Sequence, residues 1–129
     1  MSIAKEPILA EVSKRLNYQC LLALNDNAFL YQLQITEWNN TLQITDQFCF
    51  EKKLTGVNDF VPEKNFHLIY FDAFAQANAP EMWHPSMFEK LYHHLLPNGC
   101  LVSFCAKGEF KRHLKQQGFV FESLPGPKD

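Results

Sequence analysis

The chain has 129 residues, of which 47% are hydrophobic and 14% aromatic, and its net charge is −2. These values predict one folded domain with a sizeable core and exclude an intrinsically disordered chain, while the small net charge neither requires nor excludes a nucleic-acid partner. Because no glycine precedes Gly56, a glycine-rich nucleotide-binding loop is excluded from the first 55 residues.

The first half of the chain, residues 1–65, is predicted to hold helices and a hairpin. Apolar residues recur at helical spacing over 8–16 and again over 28–38, with Asn25 and Asp26 as caps of the second helix and Asn39-Asn40 as its stop. Apolar and polar residues then alternate over 42–50, which predicts a strand or hairpin.

The second half, residues 66–129, is predicted to follow the order β-α-β-α-β. The strands are buried runs at 67–71, 100–105 and 119–124, and the helices cover about 86–96 and 107–117. Ser86 and Glu89 resemble a capping box, Pro97-Asn98-Gly99 is expected to end the first helix, and Gly118 the second. Helical crossovers of this kind imply parallel pairing of at least the first two strands.

Asp72 is the candidate catalytic residue, because it follows the strand at 67–71 directly. In open α/β sheets, ligands bind just outside the carboxyl ends of the strands. Asp72 could equally cap the turn that follows the strand. Trp83 closes the same loop, where it could either order a substrate or simply pack on the core.

Two further groups of side chains have both a structural and a functional interpretation. His93 and His94 fall in the last turn of a predicted helix, where a cation stabilises the helix dipole, and no ligand stands at the spacing of a metal site. The helix at 107–117 carries a basic face that is either solvated or in contact with phosphates; its cationic members are Lys107, Lys111, Arg112, His113 and Lys115.

The four cysteines form no C-x-x-C pair, which argues against a zinc knuckle or a redox motif. Cys100 and Cys105 lie in an apolar run and are expected to face the core. No export signal and no apolar run of membrane-spanning length is present in the sequence. We therefore predict a cytoplasmic protein without a metal site or a membrane segment.

The sequence resembles the bacterial methyltransferases that complete 5-methylaminomethyl-2-thiouridine at the wobble position of tRNA. Asp72-Ala73-Phe74-Ala75 followed by Pro80-Glu81-Met82-Trp83 carries the resemblance most specifically. Leu95-Leu96-Pro97-Asn98-Gly99, the Ser103–Gly108 segment and Gly118-Phe119 follow in the family's order. The resemblance covers most of the chain, and its second half is the more specific.

This resemblance implies an α/β, class I (Rossmann-like) fold that uses S-adenosylmethionine, with tRNA as the partner. It implies that Asp72 orients the aminomethyl nitrogen or accepts its proton, which makes chemical sense because an amine must be neutral to attack the methyl group. The substrate would contact the residues of the loop and of the basic helix, namely Phe74, Pro80, Glu81, Trp83, Lys107 and Arg112.

Three departures from the family pattern concern the cofactor. The glycine-rich loop after the first strand is missing, Ala4 stands where the family has a ribose-binding acid, and Gly56 stands where it usually has an aspartate. We therefore expect a partial methyltransferase sheet, 1–129, that lacks the first strand and the glycine-rich loop. We also expect no tight cofactor binding, no activity of this chain alone, and self-association through an exposed sheet edge.

Two other functions remain open at this point. A degenerate methyltransferase domain could serve as a non-enzymatic interaction or assembly module, which the missing loop, Ala4 and Gly56 would favour. A methyltransferase acting on a different small amine agrees less well with the loop from Asp72 to Trp83.

Overall fold

The computed structural model describes residues 1–13, 15–16, 28–73, 75–105 and 107–126. The chain divides into two compact units, Met1–Phe60 and Val61–Asp129. The proposed caps of the second helix, Asn25 and Asp26, lie outside the described residues.

The described residues of the first unit form a three-stranded mixed sheet and two helices. Strand β3 lies in the middle, parallel to β1 and antiparallel to β2, so the predicted hairpin at 42–50 is confirmed. The elements are β1 (Ser2–Ala4), α1 (Ala10–Ser13), α2 (Ala28–Ile35), β2 (Thr41–Thr45) and β3 (Phe48–Leu54). Helix α2 ends at Ile35, before the predicted end at Trp38, and the apolar residues Leu9 and Val12 at α1 are exposed.

Lys52 is the buried charged residue among the described residues of the first unit, with 9% of its surface exposed. Its ammonium donates hydrogen bonds to the carbonyl oxygens of Gln34 (3.2 Å) and Thr36 (2.8 Å), at the end of α2, and lies 5.1 Å from the centre of the Trp38 ring. Burial lowers the pKa of this ammonium below its usual value. Lys52 therefore joins the central strand to the carboxyl end of α2, whose last carbonyls lack partners within the helix.

The second unit contains a parallel pair of strands, a 3₁₀ turn and two helices. Strands β4 (Phe66–Tyr70) and β5 (Leu95–Val102) pair in parallel, as the helical crossover predicts. The connection holds a 3₁₀ helix (Pro80–Trp83) and α3 (Pro85–His93), and α4 (Gly108–Gln116) follows β5. Leu68 and Tyr70 of β4 and Val102 of β5 are exposed, so these strands are only partly buried, contrary to the prediction.

The Pro97-Asn98-Gly99 turn lies inside β5 and does not end the helix. Helix α3 stops at His93, and the turn falls within the shift in register between Phe66↔Leu95 and Leu68↔Cys100. A Cβ at Gly99 would approach the carbonyl oxygens of Leu96 and Phe66 to 2.8 and 3.1 Å. Glycine is therefore required for the close approach of the two strands rather than as a helix cap.

The predicted capping box at Ser86 is also wrong. Helix α3 begins at Pro85, a favourable first residue because proline has no N–H to satisfy and its φ suits the helix. The cap is therefore His84, whose Nδ1 accepts a hydrogen bond from the backbone N–H of Ser86 (3.4 Å). The Glu89 side chain lies instead near His93, one turn further along the helix, with 4.0 Å between Glu89 Oε1 and His93 Nε2.

An aromatic cluster forms the core of the second unit. Phe88 is fully buried, Phe71 and Phe110 are each 5% exposed, and the ring centroids of these three residues lie 5.5–6.3 Å apart. Trp83 packs edge-on against Phe71 (5.9 Å) and Phe110 (5.6 Å). The cluster holds together the end of β4, the 3₁₀ turn, α3 and α4.

The third strand predicted at 119–124 is not present: residues 119–126 form neither strand nor helix. Gly118, with φ +97°, terminates helix α4 as predicted. The N–H groups of Gly118 and Phe119 donate hydrogen bonds to the carbonyls of Lys115 and Leu114, respectively. This pair of bonds is a Schellman motif, which turns the chain back along its own helix.

The cysteines differ from the prediction as well. Cys100 is exposed and Cys105 is half-buried, so neither belongs to the core. The register explains Cys100, since it opposes Leu68, another exposed residue on β4. Among the described cysteines, Cys49, Cys100 and Cys105 are free thiols.

Candidate functional site

The carboxyl ends of β4 and β5 open into a cavity of about 230 Å³. Because the two strands are parallel neighbours, the residues that follow them meet at one edge of the sheet. The backbone N–H of Phe71 bonds to the carbonyl of Val102 (2.8 Å) at the last step of the ladder. The cavity is lined by the residues that follow each strand and by the loop between β4 and α3: Phe71, Asp72, Ala73, Ala75, Gln76, Trp83, Ser103, Phe104, Cys105 and Lys107.

Three of the predicted site residues share this cavity: Asp72, Trp83 and Lys107. Asp72 is exposed, immediately after the buried Phe71. Trp83 is half-buried, with its ring held by the aromatic cluster, and Lys107 is the exposed residue that precedes α4. The structure thus brings the carboxyl group of Asp72, the amino group of Lys107 and the packed ring of Trp83 to one cavity.

Among the described residues, the predicted site residues Pro80, Glu81 and Arg112 are not in the cavity lining. Pro80 and Glu81 start the 3₁₀ turn and are exposed. Arg112 is exposed on α4, with its guanidinium close to the start of the helix, 3.5 Å from where a Cβ on Gly108 would lie. Phe74 lies outside the described residues. The roles assigned to all seven residues remain predictions.

The loop from Ala75 to Trp83 is ordered by short backbone bonds. The N–H groups of Asn78 and Ala79 donate to the carbonyl of Ala75 (2.8 and 3.1 Å), and that of Met82 donates to the carbonyl of Ala79 (3.1 Å). Ala79 is buried, at 7% exposure. Trp83 is thereby placed by the loop backbone as well as by its aromatic neighbours.

The sequence interpretation assigned no binding or catalytic role to the residues on the other wall of the cavity. Ser103, Phe104 and Cys105 follow β5, and Phe104 is 90% exposed. The Ser103 hydroxyl accepts a hydrogen bond from the backbone N–H of Cys105 (3.1 Å), which stabilises the turn. The signal that could have identified them is topological, because the parallel pairing of β4 and β5 puts both strand ends at the same edge.

The part of the chain that the structure describes contains no helix long and apolar enough to cross a membrane. Within those same residues, no group of three or more His, Cys, Asp or Glu side chains could hold a metal ion.

Comparison with known families identifies the class of protein that this fold and cavity define. A family model described as S-adenosyl-L-methionine-dependent methyltransferase matches residues 7–128. The chain therefore belongs to this methyltransferase family, and its α/β architecture with mixed sheets agrees with that assignment.

Curated relatives narrow the resemblance to one kind of methyltransferase. The tRNA 5-methylaminomethyl-2-thiouridine biosynthesis bifunctional protein MnmC of Idiomarina loihiensis is 32% identical over 54% of this chain and 12% of its own length. The protein of the same name from Pseudoalteromonas atlantica is 41% identical over 44% of this chain and 8% of its own length. That from Pseudomonas paraeruginosa is 35% identical over 44% of this chain and 9% of its own length.

These comparisons confirm the resemblance to a tRNA-modifying methyltransferase that the sequence predicted. The matched segment amounts to about a tenth of the length of these relatives. No solved structure matches the chain.

Proposed function

We propose that this chain is part of an S-adenosylmethionine-dependent methyltransferase that converts an aminomethyl group on the wobble uridine of tRNA to methylaminomethyl. The observation that carries the proposal is the meeting of Asp72 and Trp83 in one cavity at the end of parallel strands, in a chain of this methyltransferase family. The test is transfer of a labelled methyl group from S-adenosylmethionine to tRNA by the full gene product. We propose that the protein is cytoplasmic, so the activity is expected in the cytoplasmic fraction.

Asp72 supplies the acid–base chemistry in this proposal. When bound, S-adenosylmethionine would supply the methyl group: its S–CH3 bond would break and leave the neutral thioether S-adenosylhomocysteine. The attacking amine would lose one proton as its new N–C bond forms. A carboxylate at the mouth of the cavity accepts that proton directly or through one water.

Trp83 supplies a flat apolar surface for the substrate base. Its ring cannot turn freely because Phe71 and Phe110 contact it edge-on. Rigid aromatic rings bind planar ligands at low cost in conformational entropy, and a stacked base contributes about 1–3 kcal/mol. Phe74, Pro80 and Glu81 are proposed to complete the surroundings of the base, and Arg112 to contact the tRNA.

The cavity residues do not fit the whole methyl donor. The volume of about 230 Å³ is below the usual range of about 300–1,000 Å³ for pockets that enclose a ligand of that size. The sequence also has no glycine before Gly56. We therefore propose that the class I sheet is partial here, without the first strand and the glycine-rich loop.

Calorimetry with S-adenosylmethionine tests this view of the cofactor site. The 129-residue chain is expected to give no saturable heat at micromolar ligand, because the cavity encloses too little of the donor. The full gene product is the positive control. A micromolar dissociation constant for the 129-residue chain, equivalent to about −8 kcal/mol, would contradict the expectation.

We further propose that the 129-residue chain self-associates through the strands of its second unit. Among the described residues, β4 pairs only with β5, and Leu68 and Tyr70 are exposed on it. Parallel sheets are normally covered on both faces, and a two-stranded sheet is marginally stable alone. A second copy would cover both the free edge and these side chains.

Light scattering checks the proposed self-association. The chain is expected to elute as a dimer or larger, and the double variant Leu68→Lys/Tyr70→Lys as a monomer, because charge on an edge strand opposes pairing. Val61→Lys, at an exposed position in the loop before β4, is the matched control. A folded, monodisperse monomer of the unsubstituted chain would refute the proposal.

A further inference from the structure

A row of lysines leads away from the Asp72 cavity along α4. Lys107 lines the cavity, and Lys111 and Lys115 follow at intervals of four residues. The backbone N–H of Lys111 bonds to the carbonyl of Lys107 (3.2 Å), so Lys107 already belongs to the first turn. Residues four apart lie on the same face of a helix.

Two of these lysines are held by one aromatic ring. The ammonium groups of Lys111 and Lys115 each lie 5.2 Å from the centre of the Phe121 ring. Lys111 also donates to the hydroxyl of Ser123 (3.4 Å). Phe121 is in the segment that the Schellman motif turns back along α4, so the fold itself positions the ring beneath both cations.

The lysines keep their charge available for an outside partner. Glu109 and Glu122 are neighbours in the chain, yet no carboxylate of the described residues lies within the 4.0 Å of an ion pair with Lys107, Lys111 or Lys115. Four residues of helix rise by about 6 Å, so the three lysines form a row of cations along one face of α4.

We propose that Lys107, Lys111 and Lys115, the last two positioned by Phe121, form a phosphate track that holds the RNA backbone next to the base in the cavity. The choice of RNA as the occupant rests on the proposed function. Of the basic face predicted on this helix, the track selects Lys107, Lys111 and Lys115 and adds Phe121 as the residue that positions the last two. Phosphate contacts provide affinity and direction but no base specificity.

The test is the salt dependence of binding between the 129-residue chain and an anticodon stem–loop RNA. The slope of log K against log salt is negative, and the Lys111→Ala/Lys115→Ala variant is expected to reduce its magnitude by about 1.4, since each lost phosphate contact contributes about 0.7 for single-stranded RNA. Lys5→Ala/Lys64→Ala removes the same charge from exposed positions outside the track and is expected to leave the slope unchanged.

Phe121→Leu tests the contribution of the aromatic ring separately from that of the lysine charges. It keeps all three lysines, so the slope is expected to stay as in the unsubstituted chain, while affinity falls about two- to fivefold through loss of the cation–π contacts. Unchanged affinity in this variant, or equal slopes for the two double-lysine variants, would overturn the track. Binding to phosphatidylserine vesicles in preference to the RNA would overturn RNA as its occupant.

Failure of the track and failure of the proposed function give different results. If the full gene product methylates tRNA while the Lys111/Lys115 variant of the chain binds RNA like the Lys5/Lys64 control, the track alone is wrong. If the magnitude of the slope falls as expected but no methyl group reaches the RNA, the track stands and the methyltransferase proposal fails.

Discussion

Phe88→Ala is expected to destabilise the second unit by about 3–5 kcal/mol, which is the usual cost of removing a buried phenylalanine ring. Phe88 is fully buried, and its ring contacts those of Phe71, Phe110 and His113 at centroid distances of 5.5–6.1 Å. Because small domains are stable by only about 5–15 kcal/mol, this loss takes a large share of the total. Urea unfolding followed by tryptophan fluorescence measures it.

Two further variants make the Phe88 experiment decisive. Phe88→Leu keeps most of the volume and is expected to cost less than the alanine variant while preserving the fold. Val120→Ala removes an apolar side chain that is 98% exposed, and should change stability by less than about 0.5 kcal/mol. An alanine variant at Phe88 that unfolds at the same urea concentration as Val120→Ala would show that the aromatic cluster is not the core.

Asp72→Asn is expected to reduce methyl transfer to tRNA by about 10²- to 10⁴-fold in the full gene product, the range over which positioned acids and bases contribute. The amide has nearly the same shape as the carboxylate but accepts no proton. Because Asp72 is exposed, stability should change by less than about 0.5 kcal/mol. Single-turnover transfer of a labelled methyl group at saturating tRNA measures the chemical step separately from binding.

The matched control is Glu63→Gln, which neutralises an exposed carboxylate outside the cavity lining and should leave the rate unchanged. Transfer by Asp72→Asn within about threefold of the unsubstituted rate would remove Asp72 from the acid–base step. If neither the unsubstituted protein nor the control transfers a methyl group, the non-enzymatic interaction module becomes the better account of the chain.

The elements with strong local signals were predictable from the sequence. Helix α4 has a clear apolar pair in Phe110 and Leu114 and a glycine at its end, and the structure has it at Gly108–Gln116. The parallel pairing of β4 and β5 followed from the helical crossover between them. Asp72 was correctly placed after the end of a strand because the apolar run at 67–71 stops directly before it.

The errors arose where tertiary contacts override local patterns. Phe119–Leu124 has the composition of a strand but forms none, because the Schellman motif directs it back along α4 and Phe121 lies beneath two lysines. Cys100 looked like a core residue because its neighbours are apolar, but burial depends on which face of the ladder a residue occupies, and that register is set by the turn at Gly99.

The far wall of the cavity was missed for a related reason. Ser103 and Phe104 have no partner at a recognisable spacing, and their relation to Asp72 exists only through the pairing of two strands about thirty residues apart. The sequence pattern therefore identified Asp72, whereas the residues opposite Asp72 become apparent only when the two strands are paired.

The placement of the two tryptophans has a spectroscopic consequence. The chain has two, and each unit contains one: Trp38 beneath the ammonium of Lys52 in the first unit, and Trp83 against phenylalanine rings at the cavity in the second. The two indoles therefore sense different surroundings, one cationic and one aromatic. A variant that keeps a single indole reports the melting of its own unit, and Trp83 also reports occupation of the cavity by a quenching base.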